Sequence, residues 1–187
     1  VLLINSPHNP TGAVLSEKNI RDVYKIAEEN DLYLISDEVY GRMVFEDDRS
    51  KGFFSPSSID FCKERSIIIH SLSKSYAMTG WRIGAVTGPA EVIEKMTLLL
   101  ETTSSCVSPF IQEAAVEALM SNQDVISEMM FAFKKRRDLM VKLINDIPYV
   151  SCVSPQGAFY VFANIKETGL SDIEFCDLIL SEVSVAA

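Results

Sequence analysis

Residues 66–84 read SIIIHSLSKSYAMTGWRIG, an apolar run followed by a loop rich in polar residues. The apolar run, Ser66 to Ile69, indicates a buried strand, so we expect Lys74 close to the point where that strand gives way to irregular chain. The same loop carries hydroxyl groups and Arg82. A lysine and an arginine held close together repel each other unless an anion lies between them. The stretch therefore predicts an amine nucleophile beside an anion such as a phosphate.

Apolar runs elsewhere in the chain predict the remaining strands of one sheet. The first unit is a strand at residues 1–4, a helix over residues 16–30 and a strand at residues 32–35. Buried strands joined by a helix favour a right-handed parallel crossover. Two more strands are expected at about 66–71 and 82–87. The sequence therefore predicts an α/β fold with a mostly parallel sheet, and ligands bind such sheets at the carboxyl ends of the strands.

The second half of the chain is predicted to be mainly helical until the pattern changes after Pro148. We expect helices over residues 89–100, 108–120 and 122–145, strands over 149–153 and 158–165, and a helix over 171–181. A long helix that leads into a small unit containing strands suggests that a second domain begins there. The predicted division is residues 1–121 and 122–187.

Composition and charge exclude several classes of function. The formal net charge is −9 at pH 7, so the chain lacks the surplus of lysine and arginine that binding to nucleic acid needs. No run approaches the roughly 20 apolar residues of a membrane span. The cysteines stand far apart, without a C-x-x-C pair or a metal-ligand spacing, and we expect buried, reduced thiols of a cytoplasmic protein with no bound metal. They are Cys62, Cys106, Cys152 and Cys176.

The residue types around Lys74 suit an aldehyde cofactor that carries a phosphate. The lysine amine can form an imine with an aldehyde. The phosphate then needs a cation and hydroxyl donors, which Arg82, Ser71 and Ser73 can supply. The loop therefore offers both an attachment point and a phosphate site.

Three residues at other strand ends extend the same hypothesis. Asp37 can hold a pyridine nitrogen protonated, so that the ring accepts electrons from a carbanion. Tyr40 and Asn9 offer a phenol and an amide for a hydroxyl group on such a ring. Pyridoxal 5'-phosphate (PLP) meets all of these requirements.

Four short motifs occur in this order along the chain: Asn9-Pro10-Thr11-Gly12, Asp37-Glu38-Val39-Tyr40, Ser71-Leu72-Ser73-Lys74 and Gly80-Trp81-Arg82-Ile83-Gly84. Together they resemble the motifs of the class I and II aminotransferases, the aspartate aminotransferase-like branch of the fold type I PLP enzymes. Gly157-Ala158-Phe159-Tyr160 also looks like the hairpin of that family's small domain. The resemblance implies a large PLP-binding domain with helices on both faces of the sheet for residues 1–121. It implies a long interdomain helix and part of a small α+β domain for residues 122–187.

The resemblance also implies roles for individual residues. Lys74 matches the lysine that forms a Schiff base with PLP and later moves a proton between the substrate and the cofactor. Asp37 matches the partner of the pyridine nitrogen. Tyr40 and Asn9 match groups near the ring hydroxyl, and Asn9 also matches a residue near the substrate carboxylate.

Ser71, Ser73 and Arg82 match the family's phosphate ligands. The implied activity is transfer of an amino group from an amino acid to a 2-oxo acid, in two half-reactions of ping-pong type, by a homodimer. The family's ring-stacking aromatic residue and its arginine for the substrate α-carboxylate have no match in this stretch. We therefore expect the 187 residues alone not to turn over substrate.

Two other functions are compatible with the same motifs. A PLP lyase of the same fold would catalyse β-elimination or formation of a cyclopropane. An effector domain of a transcription regulator would use the imine as a sensor rather than for catalysis. Ser71 to Lys74 is also an S-x-x-K sequence, as in penicillin-binding enzymes, but the companion S-D-N and K-T-G motifs do not occur in the sequence.

Overall fold

The computed structural model describes residues 1–45, 52–61 and 63–187, which include a four-stranded sheet. Its strands are β1 (Leu2–Asn5), β2 (Leu34–Asp37), β3 (Ser66–Ser71) and β4 (Gly84–Thr87), side by side in that order. β1 pairs parallel with β2 and β2 with β3, whereas β4 pairs antiparallel with β3. The predicted α/β fold with a mostly parallel sheet is confirmed.

The register of the strands brings the functional loops to one edge of the sheet. Asn5 pairs with Asp37, Asp37 with Ile69, and Ser71 with Gly84. Because β4 runs antiparallel to β3, its first residue lies beside the last residue of β3. The edge therefore carries the segments that follow β1, β2 and β3, together with the segment that precedes β4.

The first helix, α1 (Glu17–Glu29), connects β1 to β2 and begins as predicted after Ser16. Ser16 Oγ accepts the Asn19 backbone N–H at 3.2 Å, and Asn19 Oδ1 accepts the Ser16 backbone N–H at 3.1 Å. This reciprocal pair satisfies two of the N–H groups that a helix start leaves without partners. The helix buries Ile20 and Ala27.

The other helices agree with the predicted order. A single turn, α2 (Leu72–Ser75), follows β3 directly. Longer helices follow at α3 (Ala90–Thr103), α4 (Pro109–Met120), α5 (Asp124–Asn145) and α6 (Asp172–Val183), with 3-10 turns at Pro56–Ser58, Thr79–Trp81 and Lys166–Thr168. Pro109 stands at the first position of α4, where its missing N–H costs no hydrogen bond.

The starts of β2 and β4 lie two residues later than predicted. β2 begins at Leu34 rather than at residue 32, and β4 begins at Gly84 rather than at residue 82. Arg82 has a φ of 52°, in the left-handed region. A residue in that conformation ends the 3-10 turn before it and does not continue into a strand.

The two strands predicted near the end of the chain are much shorter than expected. β5 (Ser151–Cys152) and β6 (Ala163–Asn164) pair over two residues each. The apolar residues between them pair with other loops instead. The N–H groups of Gln156 and Gly157 both donate to the Gly12 carbonyl at 2.9 Å, and the Ala158 N–H donates to the Met43 carbonyl at 2.8 Å. The segment between β5 and β6 thus packs against the first part of the chain instead of extending the two strands.

The expectation of buried cysteines is wrong for the three that the structure describes. Cys106 is exposed, in the connection between α3 and α4, while Cys152 and Cys176 are half-buried. A connection between helices runs over the surface, so an apolar side chain there gains little burial. Cys62 lies outside the described residues.

Two small apolar clusters support the functional edge of the sheet. One contains Tyr40, Met43 and Ala158, with Met130 and Phe133 of α5 packed against it. The other contains Leu72, Met78 and Ala115, with Tyr76 and Ile83 among the residues packed against it. The first cluster holds the loop after β2, and the second holds the segment that carries Lys74.

Replacing Gly157 with alanine is expected to lower the free energy of unfolding by about 1–3 kcal/mol, the usual cost of an overpacked site. A Cβ there would lie 2.8 Å from the Met43 carbonyl oxygen and 2.9 Å from Pro7 Cβ. Chemical denaturation of the full-length protein measures the loss. Gly80→Ala is the matched control, since no atom lies within 4 Å of a Cβ at that position. Equal stability of the two variants would contradict the close contact.

Candidate active site

Lys74 belongs to a helical turn that begins at the end of β3. Ser71 is both the last residue of β3 and the N-cap of α2, and its Oγ accepts the Ser73 backbone N–H at 3.1 Å. Leu72 and Ser75 are buried on either side of the lysine, whereas Lys74 itself is half-buried. The turn is therefore fixed at both ends while its lysine faces a partly open space.

An aromatic ring from the far end of the chain lies next to this lysine. Lys74 Nζ is 5.6 Å from the centroid of the Phe159 ring, within the range of a cation–π contact. Phe159 also stacks on Phe133 of α5, with centroids 5.9 Å apart. The lysine is thus positioned between the sheet edge and the segment that joins β5 to β6.

Asp37, the last residue of β2, helps to form the turn that follows it. Its Oδ1 accepts the Val39 backbone N–H at 3.2 Å. Its carbonyl accepts the Asn5 side-chain amide at 3.3 Å and the Ser6 N–H at 3.2 Å. The ends of β1 and β2 are thereby joined by side-chain and backbone hydrogen bonds.

Tyr40 is buried three residues after Asp37, with 5% of its surface exposed. Its hydroxyl lies 2.6 Å from the hydroxyl of Tyr160, and the two rings meet edge to face with centroids 5.7 Å apart. Burial raises the pKa of Tyr40, and its hydrogen bond with Tyr160 and the nearby Asp37 carboxylate raise it further. Tyr40 is consequently a neutral phenol at neutral pH.

Asn9 is exposed in the loop after β1. Its backbone N–H donates to Asn5 Oδ1 at 2.9 Å, and the neighbouring His8 Nδ1 lies 2.8 Å from Thr11 Oγ1. Gly12 closes the loop with a φ of 67°, a conformation that glycine adopts without steric cost. The amide side chain of Asn9 is left at the surface of the sheet edge.

The three predicted phosphate ligands lie within one segment of twelve residues, but their contacts are local. Ser71 Oγ bonds to the Ser73 N–H, as described above. Arg82 is exposed, and its Nη1 donates to the Thr79 carbonyl at 2.9 Å. The structure brings these residues to the same edge of the sheet. A guanidinium has several N–H donors, so Arg82 can also donate to a further acceptor.

Glu38, beside Asp37 in the sequence, is buried and points elsewhere. Its Oε1 accepts hydrogen bonds from Ser36 Oγ at 2.9 Å and Ser55 Oγ at 2.7 Å. Burial raises the pKa of this carboxyl, and the two serine hydroxyls counteract part of the effect. Glu38 therefore has a structural role.

A polar cluster joins the loop after β2 to the segment that carries Lys74. Arg42 Nη1 donates to the Tyr76 hydroxyl and, at 2.7 Å, to Gln123 Oε1. The Tyr76 hydroxyl donates to the same Gln123 oxygen at 2.9 Å. Gln123 precedes α5, so three segments distant in sequence meet here.

Phe159 and Tyr160 are the site residues whose positions the sequence analysis missed. The sequence predicts them only as part of a hairpin, whereas the structure brings them against Lys74 and Tyr40. Their aromatic character at the end of a recognisable motif was the available signal. The contact itself spans 120 residues of sequence, a separation at which no local pattern reports proximity.

The donor set at this edge fits PLP. It combines a half-buried amine, a carboxylate at the end of the next strand, a neutral phenol, and a segment with two serines and an arginine. Side chains of these types suit an aldehyde, a pyridine nitrogen, a ring hydroxyl and a phosphate. An α/β fold with this set of donors at one edge of its sheet suits a phosphorylated pyridine aldehyde.

The chain belongs to the class I and II aminotransferases. The sequence profile of that family, described as Aminotransferase class I and II, matches residues 1–187. The chain is 42% identical to an aspartate aminotransferase of Pyrococcus abyssi and 40% identical to aromatic-amino-acid aminotransferase 2 of Thermococcus litoralis. These alignments cover 99% and 98% of this chain and 47% of each relative.

A solved structure agrees with the same assignment. The crystal structure of the aromatic aminotransferase from Pyrococcus horikoshii superposes with a TM-score of 0.93 at 41% sequence identity, over 99% of this chain and 49% of that one. The chain thus spans about half the length of the relatives it matches. Across the residues that the structure describes, no helix is long and apolar enough to cross a membrane.

Proposed function

We propose that the full-length protein containing this chain is a PLP-dependent aminotransferase that moves an amino group between an amino acid and a 2-oxo acid. The observation that carries the proposal is the register of the sheet, which gathers Asp37 and Tyr40 after β2 and Lys74 after β3 at one edge. The names of relatives, among them aspartate and aromatic-amino-acid aminotransferases, support amino acids of these kinds as donors.

In this proposal Lys74 attaches the cofactor through its aldehyde carbon, and Asp37 binds the pyridine nitrogen. Tyr40 and Asn9 bind the ring hydroxyl, and Asn9 also lies near the substrate carboxylate. The phosphate ligands are Ser71, Ser73 and Arg82, whose hydroxyls and guanidinium suit a dianion. Arg82 exchanges its bond to the Thr79 carbonyl for the phosphate or uses its remaining N–H groups.

When bound, PLP supplies an electron-accepting ring that stabilises negative charge at the substrate α-carbon. The protein supplies the proton transfers and the charges around the ring. With PLP and substrate bound, the Lys74 amine would take the proton from the substrate α-carbon and would return it to the cofactor's former aldehyde carbon. The Asp37 carboxylate balances positive charge on the ring nitrogen, and the neutral Tyr40 phenol donates a hydrogen bond.

The same proposal extends to the organisation of the whole protein. Residues 1–121 belong to the large cofactor-binding domain, and residues 122–187 comprise the interdomain helix and part of the small domain. The full-length protein is a cytoplasmic homodimer. The sequence resemblance supports these three statements.

The test is whether turnover requires a 2-oxo acid. Full-length protein with PLP is mixed with aspartate, alanine or an aromatic amino acid, with and without a 2-oxo acid acceptor. An aminotransferase forms at most one product per site without the acceptor and turns over repeatedly with it. Repeated turnover without the acceptor would instead identify a lyase. Cofactor binding without any turnover would favour the effector domain of a regulator.

A further inference from the structure

The hydroxyl of Tyr160 forms the closest polar contact of Tyr40. The two oxygens are 2.6 Å apart, in a partly buried environment, and either phenol could be the donor. Tyr40 comes from the loop after β2, whereas Tyr160 comes from the segment between β5 and β6. The contact therefore joins the sheet edge to the last third of the chain.

The hydrogen-bond inventory of a phenol makes the direction of this contact important. A tyrosine hydroxyl has one proton to donate and two lone pairs that accept. If Tyr40 donates to Tyr160, Tyr40 has no proton left for a ligand. If Tyr160 donates to Tyr40, the Tyr40 proton remains available for an acceptor on the other side.

The segment that carries Tyr160 is held against the loop that carries Tyr40. Ala158, two residues before Tyr160, is fully buried and has a φ of 57°, a conformation that residues other than glycine adopt only when their surroundings enforce it. Its N–H donates to the Met43 carbonyl, and Val44 forms a β-bridge with Gly157. The segment that carries Tyr160 is thus bonded to the loop that carries Tyr40.

We propose that Tyr160 is a positioning residue that donates its hydroxyl proton to Tyr40 and so directs the Tyr40 proton to the ring oxygen of the bound cofactor. This inference rests on the proposed function, because it needs a ring oxygen as the acceptor. The environment of Tyr40 agrees with it: a phenol buried beside Asp37 and Tyr160 stays neutral and keeps a proton to donate.

Two other aromatic residues in this part of the chain, Phe159 and Tyr149, do not share the positioning role of Tyr160. Phe159 lies edge to face on Tyr40, with centroids 5.5 Å apart, but its ring has no proton to donate. Tyr149 is a phenol in the same part of the chain, and 68% of its surface is exposed. Tyr149→Phe is therefore a matched control that removes a hydroxyl without touching the pair.

The test is a double-mutant cycle on full-length protein with PLP as the probe. The readouts are the dissociation constant of PLP and the pH midpoint of the absorbance change of the bound cofactor. Tyr160→Phe is expected to raise the dissociation constant about 3- to 10-fold, as for one lost hydrogen bond. It should also shift the pH midpoint in the same direction as Tyr40→Phe, by a smaller amount.

In a Tyr40→Phe background, the Tyr160→Phe change is expected to have no further effect, because Tyr160 acts through Tyr40. The inference would be overturned if Tyr160→Phe changed the two readouts equally in the unmodified and in the Tyr40→Phe protein. It would also be overturned if Tyr160→Phe changed them no more than Tyr149→Phe does. Thermal unfolding of all variants identifies any general loss of structure. Absence of PLP binding in the unmodified protein would instead refute the proposed function, so the two failures are distinguishable.

Discussion

Replacing Lys74 with alanine in the full-length protein is expected to reduce kcat for amino-group transfer by at least about 10²- to 10⁴-fold, the usual contribution of a positioned acid–base group. The loss of its second role, as the attachment point of the cofactor, adds to this reduction. Steady-state kinetics with a saturating amino donor and a 2-oxo acid measure the effect. PLP should still bind, since the residues proposed for the ring and the phosphate remain.

Lys18→Ala is the control for this variant. Lys18 lies on the exposed face of α1 and pairs with Asp22 at 2.7 Å, so its removal should leave kcat within about twofold, as for an ordinary surface substitution. A small primary amine added to the Lys74→Ala protein is expected to restore part of the rate. A Lys74→Ala variant as active as the control would rule out the proposed role of Lys74.

Replacing Asp37 with asparagine is expected to lower kcat by about 10²- to 10³-fold while PLP remains bound, the scale of losing one electrostatic partner of the transition state. An amide keeps the size of the side chain and its hydrogen bond to the Val39 N–H. It carries no negative charge to balance a protonated pyridine nitrogen, so the ring accepts electrons less readily. Steady-state kinetics measure the loss of kcat, and the absorbance of the bound cofactor shows whether PLP remains bound.

Glu38→Gln is the matched control, because it removes an acid next to Asp37 in the sequence. The Glu38 carboxyl is bound by Ser36 and Ser55 and lies away from the site. Activity should therefore remain close to that of the unmodified protein. Comparable losses in the two variants would mean that the effect of Asp37→Asn comes from disturbing the turn rather than from the missing charge.

The sequence predicts the sheet edge well because its information is local. The apolar runs end at Ile35 and Ile69, and the polar motifs that follow contain the strand ends Asp37 and Ser71, so strand ends and candidate residues coincide. Parallel pairing then brings these ends together without any side-chain detail. The α1 cap at Ser16 is local for the same reason, since it depends on residues three apart.

Contacts between distant segments could not be predicted in this way. Tyr160 meets Tyr40 across 120 residues, and Arg42 meets Gln123 across 81. Such contacts depend on how α5 returns the chain to the sheet, which a single sequence does not encode in its periodicity. The shortness of β5 and β6 has the same cause. Gly157 and Ala158 bond to the loops at Gly12 and Met43 and so do not extend the pairing of β5 with β6.

The central claim is that Lys74 attaches the cofactor. The direct measurement is borohydride reduction of the full-length protein with bound PLP, followed by peptide mapping by mass spectrometry. Reduction turns the linkage into a stable secondary amine, and we expect the added mass on the peptide that contains Lys74 and its loss in the Lys74→Ala variant. An adduct on another lysine of the unmodified protein, or one that persists unchanged in the variant, would contradict the account.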